Sequence, residues 1–498
     1  MSITGIGSRP SLAVQSLVDM RRQLDDLQQQ LGTGKKSDSY AGMGLDRGLA
    51  VGLREHLSAL DSYDDAITNV GVRINVAQSV LGRLSDIGHS VKAAALQSSS
   101  VDSSGATIAQ TTAYSELGEI LGLLNTQSGD RYLFSGRGAD QPAVESLDQV
   151  MNGDGARAGF KQIVAERKQA DLGASGLGRL VVSAAATSVS LTEDAVSPFG
   201  FKLAGINSTD ANATITGPSG SPATASINLG ASNPAVGDTV QFHFTLPDGT
   251  SESLTLTATT SSTPGPNEFR IGANSAATAG NLQAALTSSL SKLADTSLTA
   301  ASAVAAANDF FNVDSTHPPQ RVAGPPFNTA TSLVAGTPAN TVSWYAGEDA
   351  TDPARATATA RVDPSITASY GLRANEQGIR WIVQNVAALA AMTFSASDPN
   401  ATARSNALGQ RVGQNLDVPP GTQKVENIEA DLASAQTTLA AATDRHRQTK
   451  STLSDLLGQI EGVPQEQVAA QILALQTSLQ ASMQATSLLY KLSLVNFI

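Results

Sequence analysis

The chain has 498 residues, of which 4% are aromatic and 15% are charged, with a net charge of −12 and no cysteine. The acidic balance disfavours nucleic acid and anionic membranes as partners, because binding to either needs a basic surface. Lack of cysteine excludes disulfides, thiolate catalysis and cysteine-ligated metals. The length allows two to four domains, and the shortage of bulky side chains predicts long, thin cores.

No targeting or membrane segment is expected. The N-terminus does not resemble a secretory signal, because no apolar run of about 7–15 residues follows Arg9. Apolar runs such as Val386–Met392 are too short to cross a bilayer, so we expect no membrane insertion. If the chain leaves the cell, we expect a route that does not use a cleaved signal peptide.

The first predicted element is a helix that begins near Ser11, which we interpret as its N-cap. Apolar residues recur at alternating steps of four and three, which is the spacing of a coiled-coil seam. Gly32-Thr33-Gly34 is expected to end the helix. The seam residues are Leu17, Met20, Leu24, Leu27 and Leu31.

Two more helices are predicted before the first strand. A polar connection over Lys35–Gly48 leads to a long helix whose apolar residues run from Leu53 to Val91. A third helix is expected at about Thr107–Thr126, with Ser128-Gly129-Asp130 as its stop signal. Arg131–Ser135 is then predicted to form a short strand.

The middle of the chain differs in composition. From about Asp194, Ser, Thr, Gly, Ala and Pro dominate, and apolar residues alternate with period two. We expect a hairpin turn at Pro247-Asp248-Gly249 and helices at about Ala279–Leu293 and Leu298–Asn308. Residues 194–340 are therefore predicted to form an α+β insert.

Helices return after the insert. Strands are expected at Val342–Tyr345 and Thr357–Val362, followed by helices at about Asn375–Met392 and Ala403–Asn415 and by a long helix from about Gln423. The closing helix carries a second coiled-coil seam. Its residues are Val468, Ile472, Leu475, Leu479 and Leu489.

The predicted fold is mainly α with an inserted β-rich domain. An elongated coiled coil or helical bundle is built from both chain ends, with β-hairpins and an α+β insert in the middle. We expect a terminal coiled-coil domain (1–45 and 462–498), a helical bundle with β-hairpins (46–193 and 341–461) and a variable outer insert (194–340). The two terminal seams match, so we expect the helices to pair and to become ordered on assembly, since helices this short are marginal alone.

No residue pattern indicates catalysis. No two of the five histidines stand three or four apart, so no helical metal pair is present. His446 lies on a predicted seam and is interpreted as a hydrated polar position. Asp61, Asp64 and Asp65, and the basic stretch that includes Lys450, are interpreted as solvated helix faces. We therefore predict no enzymatic activity, no cofactor and no metal site.

Four stretches carry a resemblance to the bacterial flagellin family. They are Leu27–Lys35, Asn69–Gln97, Gly129–Gly136 and Leu479–Ile498. The third is similar to a Tyr-Leu-Phe-Ser/Ala-Gly motif of the junction type, the members that join hook to filament; here its residues are Tyr132, Leu133, Phe134 and Gly136. Filament flagellins usually carry an Asp-Asp-x-Ala-Gly-like segment after the first helix, and Ser37–Leu45 lacks it.

The resemblance implies a structural subunit that assembles through its paired terminal helices. Its partners would be further copies in a ring or helical layer, the neighbouring hook-associated protein and flagellin, and an export chaperone. It would be extracellular, exported through the flagellar type III apparatus. The alternatives are a filament-forming flagellin, a non-flagellar coiled-coil adhesin or signalling protein, and a hydrolase that binds through the insert.

Overall fold

The computed structural model of the chain describes residues 9–97, 101–102, 105–314, 316–395 and 397–495, with side chains described between 14 and 488 outside the same gaps. As predicted, the fold is mainly α with a β-rich middle. The helices are α1 Arg9–Thr33, α2 Arg47–Leu96, α3 Ile108–Leu124, α4 Leu147–Asn152, α5 Phe160–Leu172, α6 Ser275–Leu293, α7 Thr299–Phe311, α8 Gln377–Ala391, α9 Ala401–Asn415, α10 Val425–Glu461 and α11 Gln465–Val495.

The strands are short and lie mostly between α5 and α6. They are β1 Gln127–Ser128, β2 Arg131–Tyr132, β3 Leu180–Ala185, β4 Ser188–Glu193, β5 Lys202–Ser208, β6 Thr214–Ser219, β7 Thr224–Asn228, β8 Thr239–Thr245, β9 Ser251–Thr259, β10 Glu268–Arg270, β11 Gln320–Val322, β12 Leu333–Ala335, β13 Thr359–Asp363 and β14 Ile366–Ser369.

Contacts divide the chain into two compact units. The terminal unit consists of the described residues of Met1–Asn69, Ala360–Thr367 and Thr437–Ile498. The central unit consists of the described residues of Val70–Thr359 and Ala368–Gln436.

The start of the chain departs from the sequence prediction in two places. Helix α1 begins at Arg9, so Ser11 lies inside the helix and is not its N-cap. The Lys35–Gly48 connection is partly helical, because a 3-10 helix spans Tyr40–Asp46 and α2 begins at Arg47.

The third helix begins where a capping box fixes it. The Gln110 backbone N–H donates to Thr107 Oγ1 at 3.2 Å, and the Thr107 N–H donates to Gln110 Oε1 at 2.9 Å. The predicted stop signal after this helix is instead a hairpin turn, since β1 pairs with β2 around Gly129-Asp130. The predicted strand Arg131–Ser135 is correspondingly shorter and ends at Tyr132.

Two further differences concern elements of the central unit. The sequence did not predict α4 or α5, and in α5 the charged Glu166, Arg167 and Asp171 are all buried. Inward charges interrupt the apolar periodicity by which helices are recognised. The strand predicted at Val342–Tyr345 is absent from the described strands and is replaced by isolated bridges such as Val144↔Tyr345.

Two four-stranded sheets and α6 form the β-rich part. One sheet has the antiparallel order β3-β4-β7-β6. The other has the order β10-β9-β8-β5 and is antiparallel except for the β9–β10 pair. The predicted hairpin at Pro247-Asp248-Gly249 joins β8 to β9, and its inward residues Val240, Phe242 and Phe244 are buried at period two.

Several packing contacts cross the predicted insert boundaries. Strands β3 and β4, which precede residue 194, share a sheet with β6 and β7. Helix α7 packs against α5, α8 and α9, and so joins the helical part of the central unit. The three-part division of the chain stays a proposal.

Candidate functional site

The two terminal helices pair through an apolar cluster in the terminal unit. Helix α1 packs against α11, and Leu27, Val468 and Ile472 are the buried residues of the cluster. Leu24 and Leu475 pack against them. Five residues of the two sequence seams are thus brought together in one contact.

The remaining seam residues differ in how far their side chains are buried. Leu479 is buried, Leu17 and Met20 are half-buried, and Leu31 is exposed. The Leu489 side chain lies outside the described side chains. The contact is therefore tightest where the C-terminal part of α1 meets the N-terminal part of α11, and the role of the seam in assembly stays a prediction.

Backbone hydrogen bonds fix the chain segments beside this helix pair. The Lys36 N–H donates to the Glu461 carbonyl at 2.7 Å, and the Val463 N–H donates to the Gly34 carbonyl at 3.1 Å. The Glu461 side chain is almost fully buried, and its carboxylate accepts from Arg54 at 2.7 Å. The end of α1 and the start of α11 are therefore held by paired backbone as well as by apolar contact.

The helix pair also has apolar side chains that nothing in the described chain covers. Ile472 is 9% exposed, whereas its neighbour Leu473 is 67% exposed. Further exposed apolar residues on the two helices are Val14, Val18, Met483 and Leu488. Helices α1 and α11 therefore carry exposed apolar side chains in addition to the buried cluster.

The predicted family motif lies in the central unit and is fixed by backbone contacts to a distant segment. Phe134 is fully buried, and its carbonyl accepts from the Ala374 N–H at 2.8 Å. The Gly136 N–H donates to the Leu372 carbonyl at 3.0 Å. Tyr132 and Leu133 line a cavity of about 20 Å³ beside this contact. The motif residues thus connect two segments more than 200 positions apart in sequence.

Charged side chains form ion pairs beside the motif. Arg373 contacts Glu348 at 3.0 Å, and Arg137 contacts Glu348 at 3.2 Å and Asp352 at 2.6 Å. Burial alone would raise the pKa of Glu348, but hydrogen bonding and attraction from Arg373 outweigh it and leave the pKa below its usual range. Glu348 is therefore a carboxylate that binds both guanidinium groups. No local sequence signal indicated these residues.

Replacing Gly136 by alanine is expected to destabilise the central unit by about 2–3 kcal/mol. Its φ is +67°, and a Cβ there would lie 2.6 Å from Glu348 Oε2 and 3.1 Å from the Glu348 carbonyl oxygen. Gly129 is the matched control, since its φ is +63° but a Cβ would have no atom within 4 Å. Gly129→Ala should cost only about 1 kcal/mol. Urea unfolding measures both, and equal losses would contradict the role of the Glu348 contact.

Among the described residues, no group of three or more His, Asp and Glu side chains could hold a metal ion. Asp314 and Thr316 do contact His317, at 2.9 Å and 2.8 Å, but both contact the same ring nitrogen, Nδ1. A catalytic triad needs the base to use both ring nitrogens. This cluster is therefore a turn contact.

A cleft of about 350 Å³ is lined by Glu145, Asp314 and Asp349. Asp314 accepts from Thr316, which holds the pKa of its carboxyl at about 2. Burial raises the pKa of Asp349, and the negative charge of Asp314 adds to this effect. The Ser343 hydroxyl in this cleft donates its proton to the Tyr345 carbonyl at 2.9 Å and not to a carboxylate. The hydrolase alternative stays a prediction.

Two sequence interpretations of the terminal unit are wrong. His446 is not hydrated: it is 2% exposed, and its Nδ1 lies 2.7 Å from Asp64 Oδ1. Asp64 and Lys450 are not on a freely solvated face, since Lys450 Nζ contacts Asp64 at 2.5 Å and Asp61 at 2.6 Å. These groups are more than 380 positions apart in sequence, so no sequence pattern could pair them.

The fold is therefore that of a helical protein whose two ends pair and whose middle is a β-rich insert. Residues 10–139 match the model of the bacterial flagellin N-terminal helical region. This match covers the first seam and the Tyr132–Gly136 motif, and it supports assignment to the bacterial flagellin family. Flagellins are structural, extracellular components of the flagellum that self-assemble into polymers, so the match supports a structural flagellar subunit.

A comparison with curated proteins finds no match to the chain. In the part of the chain that the structure describes, none of the helices combines the length and the apolarity that a membrane span requires.

Proposed function

We propose that this chain is the structural subunit that joins the flagellar hook to the filament. The segment Gly129–Gly136 carries the proposal, because its sequence resembles the junction type and its backbone is fixed to Leu372–Ala374. The Ser37–Leu45 segment, which lacks the Asp-Asp-x-Ala-Gly-like sequence of filament flagellins, supports the same assignment.

In this proposal, assembly uses the paired terminal helices. The Leu27–Val468–Ile472 cluster holds α1 and α11 together, and exposed residues such as Leu473 and Met483 meet a neighbouring subunit. A single helix pair has too little apolar contact to be stable alone, so we propose that both helices become fully ordered only on assembly. The product would be a ring or a short helical layer.

The remaining partners follow from the same proposal. The chain would contact the neighbouring hook-associated protein on one side and flagellin on the other, with the terminal coiled-coil domain inside and the insert of residues 194–340 outside. Export would proceed through the flagellar type III apparatus without a cleaved signal peptide, and an export chaperone would be a further partner. No catalytic step, cofactor or metal is part of this function.

A deletion strain tests the junction role. Without the chain, we expect hooks without filaments and unassembled flagellin in the medium, because flagellin would have no layer on which to polymerise. Normal filaments in the deletion strain would refute the junction role. Filaments that fail because flagellin itself is missing, together with immunogold labelling of the chain along whole filaments, would instead support the filament flagellin.

A further inference from the structure

His446 has one ring nitrogen that lacks a hydrogen-bond partner inside the terminal unit. The ring lies on α10, and its Nδ1 is 2.7 Å from Asp64 Oδ1 on α2. Its Nε2 has no hydrogen-bond partner and lies 3.8 Å from Asp363 Oδ2, at the end of β13. The Tyr63 ring, with its centroid 6.0 Å away, covers the imidazole from α2. The imidazole is therefore enclosed between two carboxylates.

The charges around the ring determine which nitrogen carries its proton. Burial alone would raise the pKa of Asp64, but hydrogen bonds from Lys450 and His446 outweigh it and leave that pKa below its usual range. An ionised Asp64 can only accept, so Nδ1 must donate to it. In the neutral ring Nε2 is then a bare acceptor, and it faces the acceptor oxygen of Asp363.

We propose that His446 is a proton-operated latch that fastens the β13–β14 hairpin to α10. A proton taken from solvent at Nε2 makes the ring a charged donor. Nε2 and Asp363 Oδ2 then attract each other and can shorten their 3.8 Å separation to a charge-assisted N–H···O hydrogen bond. When the proton leaves, the same contact has no donor and the hairpin is held less firmly. Histidine is the side chain whose charge responds most readily to pH in proteins, so a comparison of two pH values tests the latch.

The other charged groups at the site fit this direction. Asp61, Asp64 and Asp363 face the cluster as anions, and Lys450 and Arg445 face it as cations, with Arg445 at 3.5 Å from Asp363. The cluster thus has three carboxylates and two other cations, and a positive charge on His446 would balance the remaining negative charge. This device goes beyond the proposed junction role, since it concerns the hairpin of the single chain.

Amide hydrogen exchange in the full-length monomer tests the latch. After correction for intrinsic exchange rates, peptides covering residues 360–367 should be about tenfold better protected at pH 5.5 than at pH 7.5. Equal protection at the two pH values would overturn the proposal.

Two variants separate the latch from general effects of pH. Asp363→Asn places an amide donor opposite the bare Nε2, so we expect high protection at pH 7.5 and no remaining pH dependence. His56→Gln is the matched control, because His56 is an exposed histidine of the same unit, and it should keep the wild-type pH dependence. Retention of the wild-type pH dependence in Asp363→Asn, or its loss in His56→Gln, would refute the role of His446.

Discussion

Replacement of Ile472 by aspartate is expected to abolish assembly. Ile472 is 9% exposed and packs in one cluster with Leu27 and Val468. A carboxylate there would have to be buried without a cationic partner or would separate α1 from α11. Swimming of a deletion strain that expresses the variant should fall to that of the deletion strain itself. Hydrogen exchange in the central unit should be unchanged, because the substitution lies in the terminal unit.

Two neighbouring substitutions serve as controls for this result. Gln471 is exposed, and Gln471→Asp should swim like the wild type. Leu473→Asp should leave the contact between α1 and α11 unchanged, since Leu473 is 67% exposed. It should still reduce swimming if exposed apolar residues such as Leu473 meet a neighbouring subunit. A swimming Ile472→Asp strain would show that the helix pair is not needed for assembly.

Replacement of Arg167 by methionine is expected to destabilise the central unit by about 3–5 kcal/mol. Arg167 is 5% exposed at its side chain, and its Nε contacts the fully buried Asp171 at 3.0 Å. It also contacts Asp309 at 2.5 Å. Methionine fills a similar volume but leaves the buried Asp171 and the half-buried Asp309 without this cation. Guanidinium unfolding followed by circular dichroism measures the loss.

The same variant should acquire a specific pH dependence. Burial raises the pKa of Asp171, and Arg167 is the main group that opposes this rise. Without Arg167 the pKa of Asp171 in the folded state rises further above its value in the unfolded state. The stability that this difference contributes is fully present below the unfolded-state pKa, and it is lost as the pH rises through the folded-state pKa. The destabilisation should therefore be larger at pH 7 than at pH 5.

Arg157 provides the matched control. Arg157 contacts Asp154, three residues before it in the chain, at 2.6 Å. This ion pair is much more exposed than the pair of Arg167 and Asp171. Exposed pairs contribute little to stability, so Arg157→Met should change the unfolding midpoint by no more than the error of measurement. Equal effects of the two substitutions would contradict the assignment of Arg167 as the cation that neutralises Asp171 and Asp309.

Local pattern was enough to predict the long elements. The seam around Leu27 and the seam around Ile472 were visible because the periodicity of an amphipathic helix is a property of neighbouring residues. The β8–β9 hairpin was visible for the same reason, since Pro247-Asp248-Gly249 stands between two runs of period two. Helix α5 was not visible, because Arg167 and Asp171 point inward and break its periodicity.

The sequence by itself thus determined the mainly helical class, the β-rich middle and two matching terminal seams. Only the tertiary structure decided which groups meet across the chain: His446 with Asp64, Glu348 with Arg373, and Phe134 with Ala374. Apolar burial is non-directional and follows a repeating pattern, so one sequence can indicate it. Buried polar groups need particular partners at hydrogen-bond distance, and the fold alone brings those partners together.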